Sequence, residues 1–122
     1  MELNQKTDKI IGSGIEVHKH LGPELLESVY EAALCIELRN HGISFERQKL
    51  LPVVYKNERI GEFRIDLLVE NTVVVELKSV ERMDPVFEAQ ILSYMKMGNY
   101  KLGLLINFNS KLLKDGIKRF II

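Results

Sequence analysis

Three charged side chains interrupt apolar, strand-like runs, where solvated charges do not belong. Asp66 lies within Arg64-Ile65-Asp66-Leu67-Leu68-Val69, and Glu76 and Lys78 lie within Val73-Val74-Val75-Glu76-Leu77-Lys78. Alternate residues of a strand share a face, so Glu76 and Lys78 project together. A carboxylate in a buried strand is costly unless it is paired, hydrogen-bonded or bound to a cation. A three-residue loop, Glu70-Asn71-Thr72, sets Val69 against Val73 and therefore Asp66 against Glu76, with Cβ atoms about 5 Å apart. Two like charges that close call for positive charge between them. Hard divalent cations such as Mg²⁺ meet that need, taking one or two carboxylates together with waters or substrate phosphate. A two-residue loop would set Asp66 against Leu77 instead. The three charges then read as solvated groups at a hairpin end.

Two helical segments add polar side chains to this set. At 100° per residue, Glu27 falls within about 20° of Leu34 and Leu38, in an apolar row flanked by Tyr30. Glu31 is only about 40° away and competes for the inward position. Gln90 and Tyr94 are four residues apart and so share a helix face, which Phe87, Ile91 and Met95 place at the border of the core. A glutamine there serves equally as a structural hydrogen-bonding group.

The elements that must hold these groups follow from the hydrophobic period. Ile10, Ile11, Ile15 and Val17 predict a first helix from about Asp8 to His20, closed by Leu21-Gly22-Pro23. Leu26 to Leu38 carries a broad apolar stripe and predicts a second helix from about Pro23 or Glu24 to Asn40, with Gly42 at its C-cap. From Ile43 the period becomes two. Segments 43–49, 50–56, 59–70 and 72–80 read as strands, with turns at Asn57-Glu58 and around Asn71. The stretch from Thr72 to Leu77 is continuous enough in β-branched residues to be a central strand. Asp84-Pro85 opens a third helix as N-cap and first residue, ending near Gly98. Tyr100 to Phe108 is a last clear strand, followed by a basic tail element from Lys111 to Ile122. A meander followed by a helical crossover predicts an α/β or α+β fold, with a mixed sheet of four to five strands flanked by helices.

The 122 residues fit one domain, 1–122, long enough to bury a real core. The 17 basic and 17 acidic residues balance, which argues against attachment to nucleic acid by bulk charge. Lys111, Lys114, Lys118 and Arg119 form a basic tail patch that reads as a solvated face. Cys35, the single cysteine, lies in an apolar helical pattern as a buried thiol. Without disulfides, and with a polar N-terminus from Met1 to Lys9, the chain is expected to be cytoplasmic. No run approaches the roughly 20 apolar residues of a membrane span. His18, His20 and His41 lack metal-ligand company. Gly12-Ser13-Gly14 lacks the strand and Lys-Ser/Thr ending of a phosphate loop.

Asp66 followed nine residues later by Val75-Glu76-Leu77-Lys78 resembles the D-(x)n-E-x-K signature of the PD-(D/E)XK nuclease superfamily. Four ordered blocks resemble, more narrowly, the GxxExxY proteins. They are Leu25-Leu26-Glu27-Ser28-Val29-Tyr30-Glu31, Gly61 to Val69, Val75 to Val80, and Glu88-Ala89-Gln90-Ile91-Leu92-Ser93-Tyr94. The chain departs from that pattern at Glu24, where the motif's glycine would fall, and at Phe87, often histidine in relatives. The resemblance implies a restriction-endonuclease-like core and a metal-dependent phosphodiesterase acting on nucleic acid, most often DNA. It further implies Mg²⁺ or Mn²⁺ held by Asp66, Glu76 and the Leu77 carbonyl, with Glu27 as an additional carboxylate. Lys78 would assist the attacking water, and Gln90 would position substrate or water. Tyr30, Arg64 and Tyr94 would be further substrate-positioning groups. Two other readings remain open: a non-catalytic binding domain that retains the fold, and a metal-dependent hydrolase of small nucleotides. A homodimer would enlarge the substrate surface.

Overall fold

The computed structural model describes residues 3–122; Met1 and Glu2 lie outside the described residues. Helix α1 spans Leu3–Leu21, longer than expected, and α2 spans Glu27–Asn40. Then come β1 (Phe45–Tyr55), β2 (Glu58–Val69), β3 (Val73–Lys78), α3 (Pro85–Gly98), β4 (Leu102–Asn107) and β5 (Ile117–Ile121). The five strands form one sheet in the order β1-β2-β3-β4-β5. Only β3 and β4 run parallel, joined through α3; the other neighbours are antiparallel. The fold is α+β with a mixed five-stranded sheet. The basic tail supplies its fifth strand, where Lys118 pairs with Glu88 and Arg119 with Asp8, so two of its four charges are already engaged.

The sheet is covered on both faces. Val73, Val75 and Leu77 of β3 pack with Ile10, Val17, Tyr30, Leu34 and Leu38 of α1 and α2. Val74 packs on the other side with Ile91, Tyr94 and Met95 of α3. This alternation in a fully buried strand is what a central position between two helical layers produces. Cys35 is buried in the first layer. Asp84 caps α3, its carboxylate accepting from the Val86 amide at 2.9 Å, with Pro85 at the first position. Gly103 lets α3 approach closely: a Cβ there would lie 2.6 Å from Met95 Sδ. Gly12-Ser13-Gly14 is mid-helix in α1 and presents no loop to a phosphate.

The expected strands 43–49 and 50–56 are one strand, β1. Gln48, with a φ of 54°, breaks the regular pleat without ending the strand. The register on either side, Arg47 with Leu67 and Lys49 with Ile65, sets Gln48 opposite Asp66, and that one rung is missing from the ladder. Both strands change facing there. Phe45, Leu67 and Val69 pack toward α1 and α2, whereas Leu51 and Ile65 pack toward α3. Beyond this switch the β1–β2 ribbon leaves the core, exposing Val54, Tyr55 and Ile60. It turns at Lys56-Asn57, both at positive φ, one residue earlier than expected. This is the two-residue hairpin that matches strand twist.

Helix α2 begins at Glu27 rather than at Pro23 or Glu24 because the chain cannot be helical at Gly22 or Glu24. Their φ values are 71° and 73°. The Tyr30 hydroxyl fixes this entry loop, donating to the Gly22 carbonyl and accepting from the Leu25 amide. Glu24 thus occupies a left-handed position that favours glycine by about 1 kcal/mol. Glu24→Gly is expected to raise the urea midpoint of unfolding correspondingly, and an unchanged or lower midpoint would contradict this account of the loop.

Candidate active site at the opening between two strands

The β2–β3 ladder ends at Leu67 with Val75, in the register of a three-residue loop, with Val69 opposite Val73. One step further, Asp66 and Glu76 face each other, but their backbones do not pair. The Asp66 amide donates to Glu76 Oε2 at 2.8 Å, and the Leu77 amide donates to Asp66 Oδ2 at 2.9 Å. Each carboxylate takes a strand amide from the neighbouring chain segment. The two side chains fill the gap between diverging strands, and each amide keeps a partner despite burial.

Burial is the first influence on both groups. Glu76 is 6% exposed, and its carboxyl is pushed up to about 8, first by desolvation and next by the Asp66 charge. The Asp66 amide and Lys78 act in the opposite direction. Asp66 is also raised, chiefly by burial, with the Leu77 amide opposing and Glu31 adding repulsion. Two carboxyls sharing a desolvated site each favour the protonated form in this way. Tyr94, on α3, is raised by burial and by the Glu76 and Asp66 charges, and its ring lies 5.3 Å from that of Phe63.

Lys78 shares the Glu76 face at the end of β3. Its carbonyl accepts from the Phe108 amide at 2.8 Å, and the side chain of Asn107 bonds both the amide and the carbonyl of Val80. The strand end is therefore fixed. The Nζ lies 4.4 Å from the centroid of the Phe87 ring, a cation–π seat. Among the described residues it forms no ion pair, yet its charge bears on Glu27, Asp66 and Glu76. Phe87 is the platform for this lysine.

Glu27 is the first residue of α2 and is exposed rather than facing the core. Glu31 takes the inward place, at 8% exposure. A residue at the first helical position has no preceding turn to bury it, whatever its angle on the wheel. The Glu27 carboxyl is nonetheless withdrawn from water enough to be raised, first by burial, with Lys78 opposing and Asp66 and Glu31 adding to the shift. Ser79 donates to the Leu25 carbonyl, tying the entry loop of α2 to the residue after Lys78. Glu27 thus stands at the rim of the carboxylate pair. Among the described residues no three His, Cys, Asp or Glu side chains converge as a ready-made metal cage. A cation would rest on Asp66 and Glu76, a donor number that suits Mg²⁺ completed by water and phosphate.

The other expected groups divide. Arg64 is exposed beside the site and donates to the Gln48 carbonyl at 3.5 Å. Gln90 is exposed on α3, on the side of Phe87 and Tyr94, and its side chain makes no hydrogen bond among the described residues; the apolar flanks that suggested a core border belong to its neighbours. Tyr30 is not brought to the site. Its ring is fully buried, stacked 4.4 Å from Phe108, and its hydroxyl is engaged by the entry loop. Its part is to hold the loop that carries Glu27. Gln48 and Arg47 are the polar contributors that the pattern did not single out, and Glu31, weighed against Glu27, takes the inward place. Gln48 sits in a run of polar residues, and nothing about a glutamine announces a left-handed conformation.

The sequence profile of the PD-(D/E)XK nuclease superfamily matches residues 4–120. The chain belongs to that superfamily. Comparison with curated proteins and with solved structures gives no match. As a PD-(D/E)XK domain the chain has a nuclease-type architecture. Among the described residues no helix is long and apolar enough to cross a membrane.

The shift of Glu76 has a stability consequence whose sign is fixed. With a folded value near 8 and an unfolded value near 4.5, the native chain binds more protons than the unfolded chain between those limits. Stability in the absence of metal therefore falls as pH rises through that window, and the raised Asp66 contributes in the same direction. Urea midpoints measured in EDTA at pH 5, 6.5 and 8 are expected to decline, and Glu76→Gln should flatten most of the decline. A wild-type midpoint that holds level or climbs would overturn the assignment.

Proposed function

We propose that the chain is a divalent-metal-dependent phosphodiesterase that hydrolyses nucleic acid, DNA foremost, and that it belongs to the GxxExxY branch of the superfamily. The observation that carries this reading is the facing pair Asp66–Glu76 in the strand opening, with Lys78 on the same face and Glu27 at the rim. A buried carboxylate pair of this kind is costly unless positive charge relieves it, and a bound cation would supply that charge.

Asp66 and Glu76 would hold Mg²⁺ or Mn²⁺, with the Leu77 carbonyl as a further oxygen, and Glu27 would act through the rim or through a water. When bound, such a cation neutralises phosphate charge and acidifies water. The chain's own groups do the rest. Lys78, kept extended over Phe87, presents a fixed positive charge to the phosphate and orients the attacking water. Arg64, Gln90 and Tyr94 line the approach from β2 and α3 and would position the substrate. The exposed β1–β2 ribbon carries Lys56, together with Lys49 and Arg59 in ion pairs with Glu46 and Glu62, and would offer contacts to a nucleic-acid backbone. Pairing with a second copy would widen that surface. The single buried thiol is compatible with a reducing compartment such as the cytoplasm.

Supercoiled plasmid, linear duplex, single-stranded DNA and RNA should each be incubated with Mg²⁺ or Mn²⁺. Cleavage of at least one is expected, with EDTA abolishing it and Lys78→Ala or Asp66→Asn lowering it by about 100-fold or more. Tight metal-independent binding with no cleavage would assign the chain to the non-catalytic class. Turnover of mononucleotides alone would make it a small-nucleotide hydrolase.

A further inference from the structure

We infer that Gln48 is a positioning residue for the cation-binding carboxylates, holding Asp66 in place from the α2 side of the sheet. The inference rests on the reading of Asp66 and Glu76 as cation ligands. Consecutive residues on a regular strand point to opposite faces, yet Arg47 and Gln48 both reach Glu31. Arg47 Nε donates to Glu31 Oε2 at 2.7 Å, and Gln48 Nε2 donates to Glu31 Oε1 at 2.7 Å. The φ of 54° at Gln48 makes this possible, because it cancels the alternation at that residue. From there the same Nε2 reaches Asp66 Oδ1 at 3.4 Å. Its two hydrogens serve two carboxylates, one on each side.

The geometry has a direct consequence for Asp66. The Leu77 amide holds Oδ2, and Gln48 approaches Oδ1, so both oxygens have a donor and the carboxylate plane is set. Glu31, itself held by Arg47, anchors the amide. A neutral amide orients the carboxylate without competing for its charge, which a lysine or arginine here would do. Outer-shell groups that orient a metal ligand are typically worth about 10–100-fold in affinity.

Gln48→Gly separates orientation from folding, since glycine adopts positive φ freely and the backbone switch is kept. Gln48→Asn, which also tolerates that conformation but is one methylene shorter, provides a second variant. Mn²⁺ binding to the full chain, read by electron paramagnetic resonance of the free ion, is expected to weaken about 10-fold in both. Nuclease activity lost at low Mn²⁺ should return as Mn²⁺ is raised. Affinity within twofold of wild type in both variants, whatever their melting temperatures, would overturn the inference. Wild-type protein that binds no Mn²⁺ would instead overturn the metal reading, and this one with it.

Discussion

In the middle of the sheet, two strand amides donate to side-chain carboxylates instead of to the carbonyls of a continuing ladder. The exchange between Asp66 and Glu76 lets β2 and β3 separate without leaving a buried donor unpaired. It also fixes where both carboxyls sit, and it brings their charges into a region from which water is largely removed. The opening and the raised carboxyls are two results of one substitution in hydrogen bonding. Sheets that close fully have no such gap.

The surrounding elements hold the two lips of the opening. On one side, α3 packs through Ile91, Tyr94 and Met95 and carries Phe87 under the Lys78 ammonium. On the other, α2 supplies Glu27 at its first residue and Glu31 one turn later, with Tyr30 anchoring the loop before it. The parallel pair of β3 and β4 runs on past the opening to Lys78 and Asn107, so the lysine still stands on a paired strand. The less constrained β1–β2 ribbon bears Arg64 and the exposed apolar tip.

Much of this was legible in the sequence because it depends on period and spacing. The β-branched run 72–77 could be little else than a central strand, and of the two loop lengths the sequence allowed, the three-residue one that opposes Asp66 to Glu76 is the one the register shows. Asp84-Pro85 marked the start of α3 by its own chemistry. What could not be read depends on conformations that no residue type declares. Gln48 at positive φ lies inside the single strand β1, where two strands were expected, and marks the rung beyond which Leu51 and Ile65 face the other layer. Glu24 at positive φ delayed α2 and left Glu27 at a helix end, so the wheel that placed it inward had no turn on which to act. Tyr30 matched its motif and yet is occupied in holding a loop, because a spacing pattern does not say which way a hydroxyl is used.

The change of facing at the Gln48–Asp66 rung also constrains chain length. On each strand, the residues before the rung and those after it answer to different helical layers, so the count between Phe45 and Leu51, and between Ile65 and Val69, is locked. Adding or removing a single residue on one strand would turn Leu51 or Ile65 outward and carry Asp66 off its opposition to Glu76. At the Lys56-Asn57 turn no layer keeps count. The ribbon can therefore lengthen or shorten at its far end across descendants of this chain, while the stretch beside the carboxylates keeps its length.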